Sequence, residues 1–170
     1  MYRLIIIASI FALTTLGTGV YQEPTAFISE SFGGVMPSSR TIWVVKDMRS
    51  DVQSILGHPL GAMRVRYWQR DGRTAFVLEE IGKTEPITVG LVVEGGRLSQ
   101  VKVLEFRESR GWEVRYPAFT DQFLGVSLTE RHKLDRDIDG VSGATLSVRA
   151  LTKLARLALY LEARCPADAS

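Results

Sequence analysis

Residues 63–79, MRVRYWQRDGRTAFVLE, decide the fold. Two runs within this stretch, 63–69 and 74–79, alternate between polar and apolar residues and are rich in β-branched and aromatic side chains. Between them lie Asp71 and Gly72, a pair that favours a tight turn with two positive φ angles. The stretch therefore predicts a β-hairpin.

A second pair of runs repeats this arrangement further along the chain. Residues 87–93 and 98–106 are rich in valine and leucine, and the sequence EGGR at 94–97 separates them. Alternation in the last run is imperfect, which suits a strand of a sheet that is covered on one face. Two consecutive hairpins predict an antiparallel sheet.

The C-terminal part of the chain predicts an amphipathic helix. Its apolar residues recur at intervals of three and four, which is the period of one helix face; they are Leu146, Ala150, Leu151, Leu154, Leu157, Ala158 and Leu161. Arg149, Lys153 and Arg156 share another face, which we expect to be solvated. A shorter helix is predicted at residues 50–57, ending at Gly57. The fold class is thus α+β, with an antiparallel sheet of two hairpins packed by these two helices.

Composition bounds the function. The chain has 170 residues, with 21 Lys and Arg against 19 Asp and Glu, and its basic residues are scattered rather than clustered. Nucleic acid is therefore an unfavourable partner. The single cysteine, Cys165, lies near the end of the chain, so neither an intramolecular disulfide nor a cysteine-based metal site can form. One domain with a sizeable core fits this length.

The N-terminus predicts an export segment. Residues 4–20 are apolar or small and uncharged, Arg3 precedes them, and no further Lys or Arg follows until Arg40. Residues 1–21 are therefore expected to be a cleaved signal peptide or an uncleaved membrane anchor, and both alternatives place the domain outside the cytoplasm, on the periplasmic side. We expect a linker at 22–40, the domain at 41–164 and a tail at 165–170.

Residues 139–145, DGVSGAT, lie where a loop leads into the C-terminal helix. The first turn of a helix has unpaired backbone N–H groups and the positive end of the helix dipole, so it can hold a phosphate. Gly143 and Ala144 would leave room for one, and Thr145 could bind it or be esterified to it. Local physics alone favours a simpler role, in which Ser142 or Thr145 caps the helix.

The same segment resembles the flavinylation motif Asp-x-x-Ser/Thr-Gly-Ala-Thr of the FMN-binding domain family. Asp139, Ser142, Gly143, Ala144 and Thr145 all match it. Members of this family include the flavin-carrying subunits of sodium-translocating NADH:quinone oxidoreductase and of related ferredoxin-dependent membrane complexes. The resemblance extends over residues 81–160.

The resemblance implies a cofactor, a maturation partner and a role. Thr145 would carry FMN through a phosphoester formed by a separate flavin transferase that consumes FAD. The protein would relay electrons to or from a membrane electron-transport protein. Glu108 and Trp112, in a segment similar to the family's Glu-Ser/Thr segment, are the candidates for contact with the flavin ring, while Asp139 would shape the loop or assist the transferase.

Two other functions remain open at this point. A sensory or regulatory module would hold FMN or another phosphate ligand without a covalent bond. An exported hydrolase would use Thr145 or Ser142 as its nucleophile, but the two histidines, His58 and His132, lie in segments with no sign of a catalytic triad.

Overall fold

The computed structural model describes residues 19–166. Across this part of the chain, six antiparallel strands form one sheet in the order β1-β6-β5-β4-β3-β2. The strands are β1 (Gly19–Val20), β2 (Ser39–Trp43), β3 (Arg64–Arg70), β4 (Arg73–Ile81), β5 (Pro86–Glu94) and β6 (Arg97–Phe106). The helices are α1 (Pro24–Ser31), α2 (Asp47–Leu56), α3 (Pro117–Thr120) and α4 (Thr145–Glu162). The predicted α+β class with an antiparallel sheet is confirmed.

Both predicted hairpins are present, and their turns explain why. Asp71 and Gly72 join β3 to β4 with φ angles of 52° and 72°. Gly95 and Gly96 join β5 to β6 with φ angles of 57° and 72°. Two positive φ angles in a two-residue loop match the twist of the flanking strands.

The sheet is wider than two hairpins because each edge carries a further strand. Strand β2 pairs with β3, and the two-residue β1 pairs with the end of β6. Only Ile42 is buried in β2, so its sequence lacks the run of apolar residues that would have indicated a strand.

The prediction of a linker at residues 22–40 is wrong. This segment contains helix α1, whose Phe27 and Ile28 are fully buried. Together with Phe32 they pack on Ala75, Val92 and Leu104, on one face of the sheet. Helix α1 has only eight residues, which is too short for a clear helical period in the sequence.

Helices α2 and α4 cover the opposite face of the sheet. The predicted C-terminal helix is confirmed as α4, and most of its leucines and alanines join the main core formed with β3 to β6. Leu146, which was predicted on the apolar face, is instead 42% exposed. Helix α2 ends at Gly57, which has a φ of 79°. The Tyr160 hydroxyl donates to Asp51 Oδ2 at 2.7 Å and so links the two helices.

The basic face of α4 is not simply solvated, which corrects the sequence-based expectation. Lys153 Nζ lies 3.0 Å from Oε1 of the buried Glu80, and His58 Nε2 also contacts that carboxylate. The Arg156 side chain donates to the backbone carbonyls of His132 and Ile55. Only Arg149 of the three is exposed without such a contact among the described residues.

The two ends of the chain differ in how much of them the structure describes, and Cys165 is more buried than the sequence predicts. Cys165 is not a passive tail residue, because it is partly buried against the main core, and burial raises the pKa of its thiol to about 12. The predicted export segment falls almost entirely on residues 1–18, outside the described residues. Within residues 19–166, no helix has the length and apolar character to cross a membrane.

A substitution at Gly90 would test how closely α1 packs on the sheet. A Cβ added there would lie 2.5 Å from the Phe27 ring. We expect Gly90→Ala to lower the free energy of unfolding by ~1–3 kcal/mol through overpacking, measured by urea denaturation. Gly61→Ala, where a Cβ meets nothing within 4 Å, is the control. If Gly90→Ala and Gly61→Ala lowered the free energy of unfolding equally, the close packing of Phe27 on Gly90 would be contradicted.

Candidate functional site

A cavity of about 580 Å³ lies at the end of the sheet where β4 and β6 end and α4 begins. Its size falls within the range of ~300–1,000 Å³ that holds small molecules and cofactors. The residues that line it are Lys83, Glu108, Ser109, Arg110, Gly143, Ala144, Thr145, Leu146 and Ser147. Three separate segments of the chain therefore converge on one site.

Helix α4 begins at the cavity without a side-chain cap. Thr145 is its first residue, Ala144 is the N-cap residue, and no side chain accepts a hydrogen bond from the first turn. The first intrahelical bond runs from the Val148 N–H to the Ala144 carbonyl at 2.9 Å. The exposed Thr145 hydroxyl makes no hydrogen bond to any described residue. The N-cap role that local sequence favoured for Ser142 or Thr145 is therefore contradicted.

A tight turn, residues 141–144, lies directly before the first residue of α4. The Ala144 N–H donates to the Val141 carbonyl at 3.0 Å, and Gly143 has a φ of 79°. A type II turn requires a positive φ at its third residue, which is why glycine is suited to this position. Ser142 is exposed and makes no hydrogen bond to the described part of the protein.

Asp139 lies upstream of the turn, outside the lining of the cavity. Its backbone N–H donates to Gln122 Oε1 at 2.8 Å, while its carboxylate is exposed. The residue thus contributes to the path of the loop through its main chain. Direct contact of the Asp139 carboxylate with a phosphate is unfavourable, because the two negative charges repel each other.

Glu108 ties two loops of the cavity together. Its carboxylate is buried, and Oε1 accepts hydrogen bonds from the N–H groups of Lys83, Thr84 and Glu85, the last two at 2.6 and 3.0 Å. Burial raises the pKa of Glu108, but the three N–H donors and the Thr84 hydroxyl outweigh it, so the pKa lies below its usual range. The carboxylate is therefore ionised and holds the turn between β4 and β5.

Glycines allow the close approach of these segments. A Cβ on Gly111 would lie 2.9 Å from Ser147 Oγ and 3.1 Å from the Ala144 Cβ, and Gly111 has a φ of 85°. The segment from Glu108 to Gly111 is thereby held against the first turn of α4. The cavity is thus braced at both ends of this segment, by Glu108 at one end and Gly111 at the other.

Comparison with known families decides what kind of domain this is. The FMN-binding domain family matches residues 82–160, which include all nine residues that line the cavity. This segment is an FMN-binding domain. The protein is accordingly a flavin-binding protein, and the resemblance expected for residues 81–160 is confirmed. Comparisons with curated proteins and with solved structures gave no match.

The sheet that contains the matched segment extends beyond it. Strands β5 and β6 and most of α4 lie inside residues 82–160, whereas β1 to β4 lie before them. Strand β4 pairs with β5 along its whole length, so the first half of the described chain completes the same sheet.

Trp112, a predicted contact of the flavin ring, does not line the cavity. It is partly buried against the core, and its ring meets Tyr116 edge-on with centroids 5.7 Å apart. Arg115 lies over the Trp112 ring at 5.4 Å. The other two tryptophans of the chain, Trp43 and Trp68, are also absent from the cavity lining. No tryptophan is therefore among the residues that line the cavity, and the contact of Trp112 with the flavin ring stays a prediction.

Sequence reasoning missed five of the residues that line the cavity, namely Lys83, Ser109, Arg110, Leu146 and Ser147. Lys83 lies in the β4–β5 turn, and Ser109 and Arg110 follow Glu108. Lys83 and Arg110 are exposed cations that form no salt bridge with any described residue. The sequence around Lys83 does not indicate a site residue, because Lys83 reaches the cavity only through the hydrogen bonds between its turn and the distant Glu108.

The hydrolase alternative has no catalytic base in the FMN-binding domain's cavity. His58 contacts Pro59 and Glu80 beside α4, and His132 packs edge-on against Tyr160. Glu108 is the only ionisable acid in the lining, and loop N–H groups hold its carboxylate. Within residues 19–166, no group of His, Cys, Asp and Glu could hold a metal ion.

Replacing Glu108 tests its bracing role. We expect Glu108→Gln to lower the free energy of unfolding by ~1–3 kcal/mol, because the amide cannot serve all the donors that the carboxylate serves. The carboxylate's pKa is depressed in the folded state, so its contribution is present above the unfolded-state pKa and is lost as pH falls through the folded-state pKa. Urea unfolding across acidic pH checks both effects.

The control for this experiment is Glu130→Gln, which changes an exposed carboxylate that does not line this cavity. We expect it to leave both stability and its dependence on acid nearly unchanged. A Glu108→Gln variant that keeps the steep loss of stability in acid would show that another carboxylate causes it.

Proposed function

We propose that this flavin-binding protein carries FMN through a phosphoester on Thr145 and relays electrons outside the cytoplasm, to or from a membrane redox partner. One observation carries the proposal. Within an FMN-binding domain, the free Thr145 hydroxyl lies at an uncapped helix start that lines a cavity of cofactor size. The unpaired N–H groups and the two cations of the cavity also suit the negatively charged phosphate of FMN.

The helix start supplies what a phosphate needs. The N–H groups of Thr145, Leu146 and Ser147 have no acceptor within the helix, because the first intrahelical bond comes from Val148. Such groups, together with the positive end of the helix dipole, stabilise an anion. Lys83 and Arg110 add positive charge to the cavity.

The bond to Thr145 would form by transfer from FAD. The threonine oxygen forms a bond to the phosphorus of the FMN half, the pyrophosphate bond breaks, and AMP leaves. A threonine hydroxyl needs a base to accept its proton. Since the only carboxylate lining the cavity is occupied by loop N–H groups, the flavin transferase is the expected source of that base.

A covalent bond suits a carrier outside the cytoplasm. A cofactor held by reversible affinity would be lost by dilution, whereas a bonded flavin stays at a high effective concentration. When bound, FMN supplies the one- and two-electron chemistry that protein side chains lack. The chain's own part is to hold the phosphate at α4 and to surround the ring with the Lys83 and Glu108 segments.

The topology supports a place beside a membrane. Gly19 pairs with Phe106, two residues before Glu108, so the apolar N-terminal segment joins the fold at the cavity end of the sheet. Two residues of extended chain span only ~7 Å. Gly19 and Val20 belong to strand β1, so only residues before them could lie in a bilayer. If those residues anchor the protein, the flavin cavity lies close to the bilayer and to a partner within it.

The attachment is tested by the mass of the intact protein. We expect the chain produced together with a flavin transferase to gain one FMN less one water, and Thr145→Ala to gain nothing. Thr41→Ala changes an exposed threonine on the edge strand β2 and should keep the adduct. An adduct that persists in Thr145→Ala would overturn the assignment.

The same experiment distinguishes the non-covalent sensory alternative. In that case the native protein would be yellow, but its flavin would be released on denaturation and the mass would be unchanged. Retention of the flavin after denaturation supports the covalent carrier.

The location has its own test. In a Gram-negative host, we expect Asp71→Cys, at an exposed hairpin tip, to react with a membrane-impermeant maleimide while the inner membrane is intact. The unsubstituted chain, with only the partly buried Cys165, is the control. Labelling of Asp71→Cys that requires lysis of the inner membrane would contradict export.

A further inference from the structure

The turn between β4 and β5 is built to hold one cation in the flavin cavity. Three consecutive N–H groups of this turn, those of Lys83, Thr84 and Glu85, donate to Oε1 of the buried Glu108. The Thr84 hydroxyl adds a bond to Oε2 at 3.2 Å. A surface turn held by four bonds to one buried carboxylate has little freedom to move.

Gly82 brings the turn still closer to that carboxylate. A Cβ at Gly82 would lie 3.0 Å from both Glu108 Oε1 and Ile87 Cδ1. The backbone before Lys83 is therefore packed against Glu108, and the Lys83 side chain extends from a fixed point to line the cavity that Thr145 also lines. The Lys83 side chain is thus placed at the cavity by its fixed backbone and not by a bond from its ammonium group to another described residue.

No described acidic side chain neutralises Lys83. Its ammonium group forms no salt bridge within residues 19–166, and Glu108 is the only carboxylate in the cavity lining. Lys83 is exposed, but the bond from its N–H to Glu108 fixes its backbone beside the cavity, so the side chain extends from an anchored position. A ligand with negative charge is the partner that the arrangement lacks.

The cavity divides into two parts. The helix start, with Gly143, Ala144 and Thr145, faces the phosphate, so the wall formed by Lys83, Ser109 and Arg110 is left for the rest of the cofactor. We propose that Lys83 faces the flavin ring and stabilises the negative charge of its reduced form. This inference rests on the proposed attachment of FMN at Thr145.

The charge that the flavin gains on reduction determines whether Lys83 raises or lowers the reduction potential. The oxidised ring takes two electrons and one proton from the redox partner, or from dithionite in the test, and so gains one negative charge. A nearby ammonium group favours that product and raises the reduction potential. With unit charges ~5 Å apart and an effective dielectric constant of about 40, the equilibrium changes roughly tenfold.

The experiment is a redox titration of the flavinylated full-length chain with dithionite and mediator dyes, at a pH where the reduced ring is anionic. We expect Lys83→Gln to disfavour the reduced flavin roughly tenfold, which is ~30 mV for a two-electron couple. Lys83→Arg should restore most of the potential. The difference in reduction potential between Lys83→Gln and the unsubstituted protein should become smaller in 1 M salt, where the Debye length is about 3 Å.

Lys133→Gln is the matched control, because it removes the same charge from an exposed lysine that does not line this cavity. An unchanged potential in Lys83→Gln, or an equal shift in Lys133→Gln, would overturn the inference. Intact mass is measured first, so that a failure of attachment is recognised separately. If no adduct forms, the titration is run with added FMN, and failure to bind any FMN would overturn both proposals.

Discussion

The site depends on the hydrogen bonds that the buried Glu108 carboxylate accepts from three successive N–H groups of the β4–β5 turn. An ionised carboxylate can be buried only when donors replace its lost water. Those donors fix the turn, and the same segment reaches Gly111, which packs on Ala144 and Ser147 at the start of α4. One carboxylate thus sets the spacing between the turn, the loop after β6 and the helix.

This arrangement separates two tasks within one cavity. The start of α4 offers unpaired N–H groups and a free hydroxyl for a phosphate, and it does so through backbone geometry. The opposite wall offers side chains, and among them Lys83 and Arg110 can act on the charge of a bound ring. If the proposed attachment at Thr145 and the proposed role of Lys83 both hold, each can be changed by substitution without changing the other.

The two hairpins and α4 were predictable because their signals are local: Asp71-Gly72 and Gly95-Gly96 turns, and leucines at helical spacing. Strands β1 and β2 and helix α1 were not, because each is short and is defined by what it packs against, as with Phe27 over Gly90. In the site, residues 143–145 were predicted from the motif. Lys83 was not, since its place depends on a bond to a residue 25 positions away, and the tryptophan expected at the ring packs elsewhere.

In the proposed state the chain is joined to FMN at the start of α4, and the ring lies against the Lys83 and Glu108 segments. A crystal structure of the flavinylated chain is the most direct test. We expect continuous density from Thr145 Oγ1 to the phosphorus, phosphate oxygens within hydrogen-bonding distance of the first-turn N–H groups, and the ring beside Lys83. Density that shows an unmodified Thr145, or a flavin outside this cavity, would contradict it.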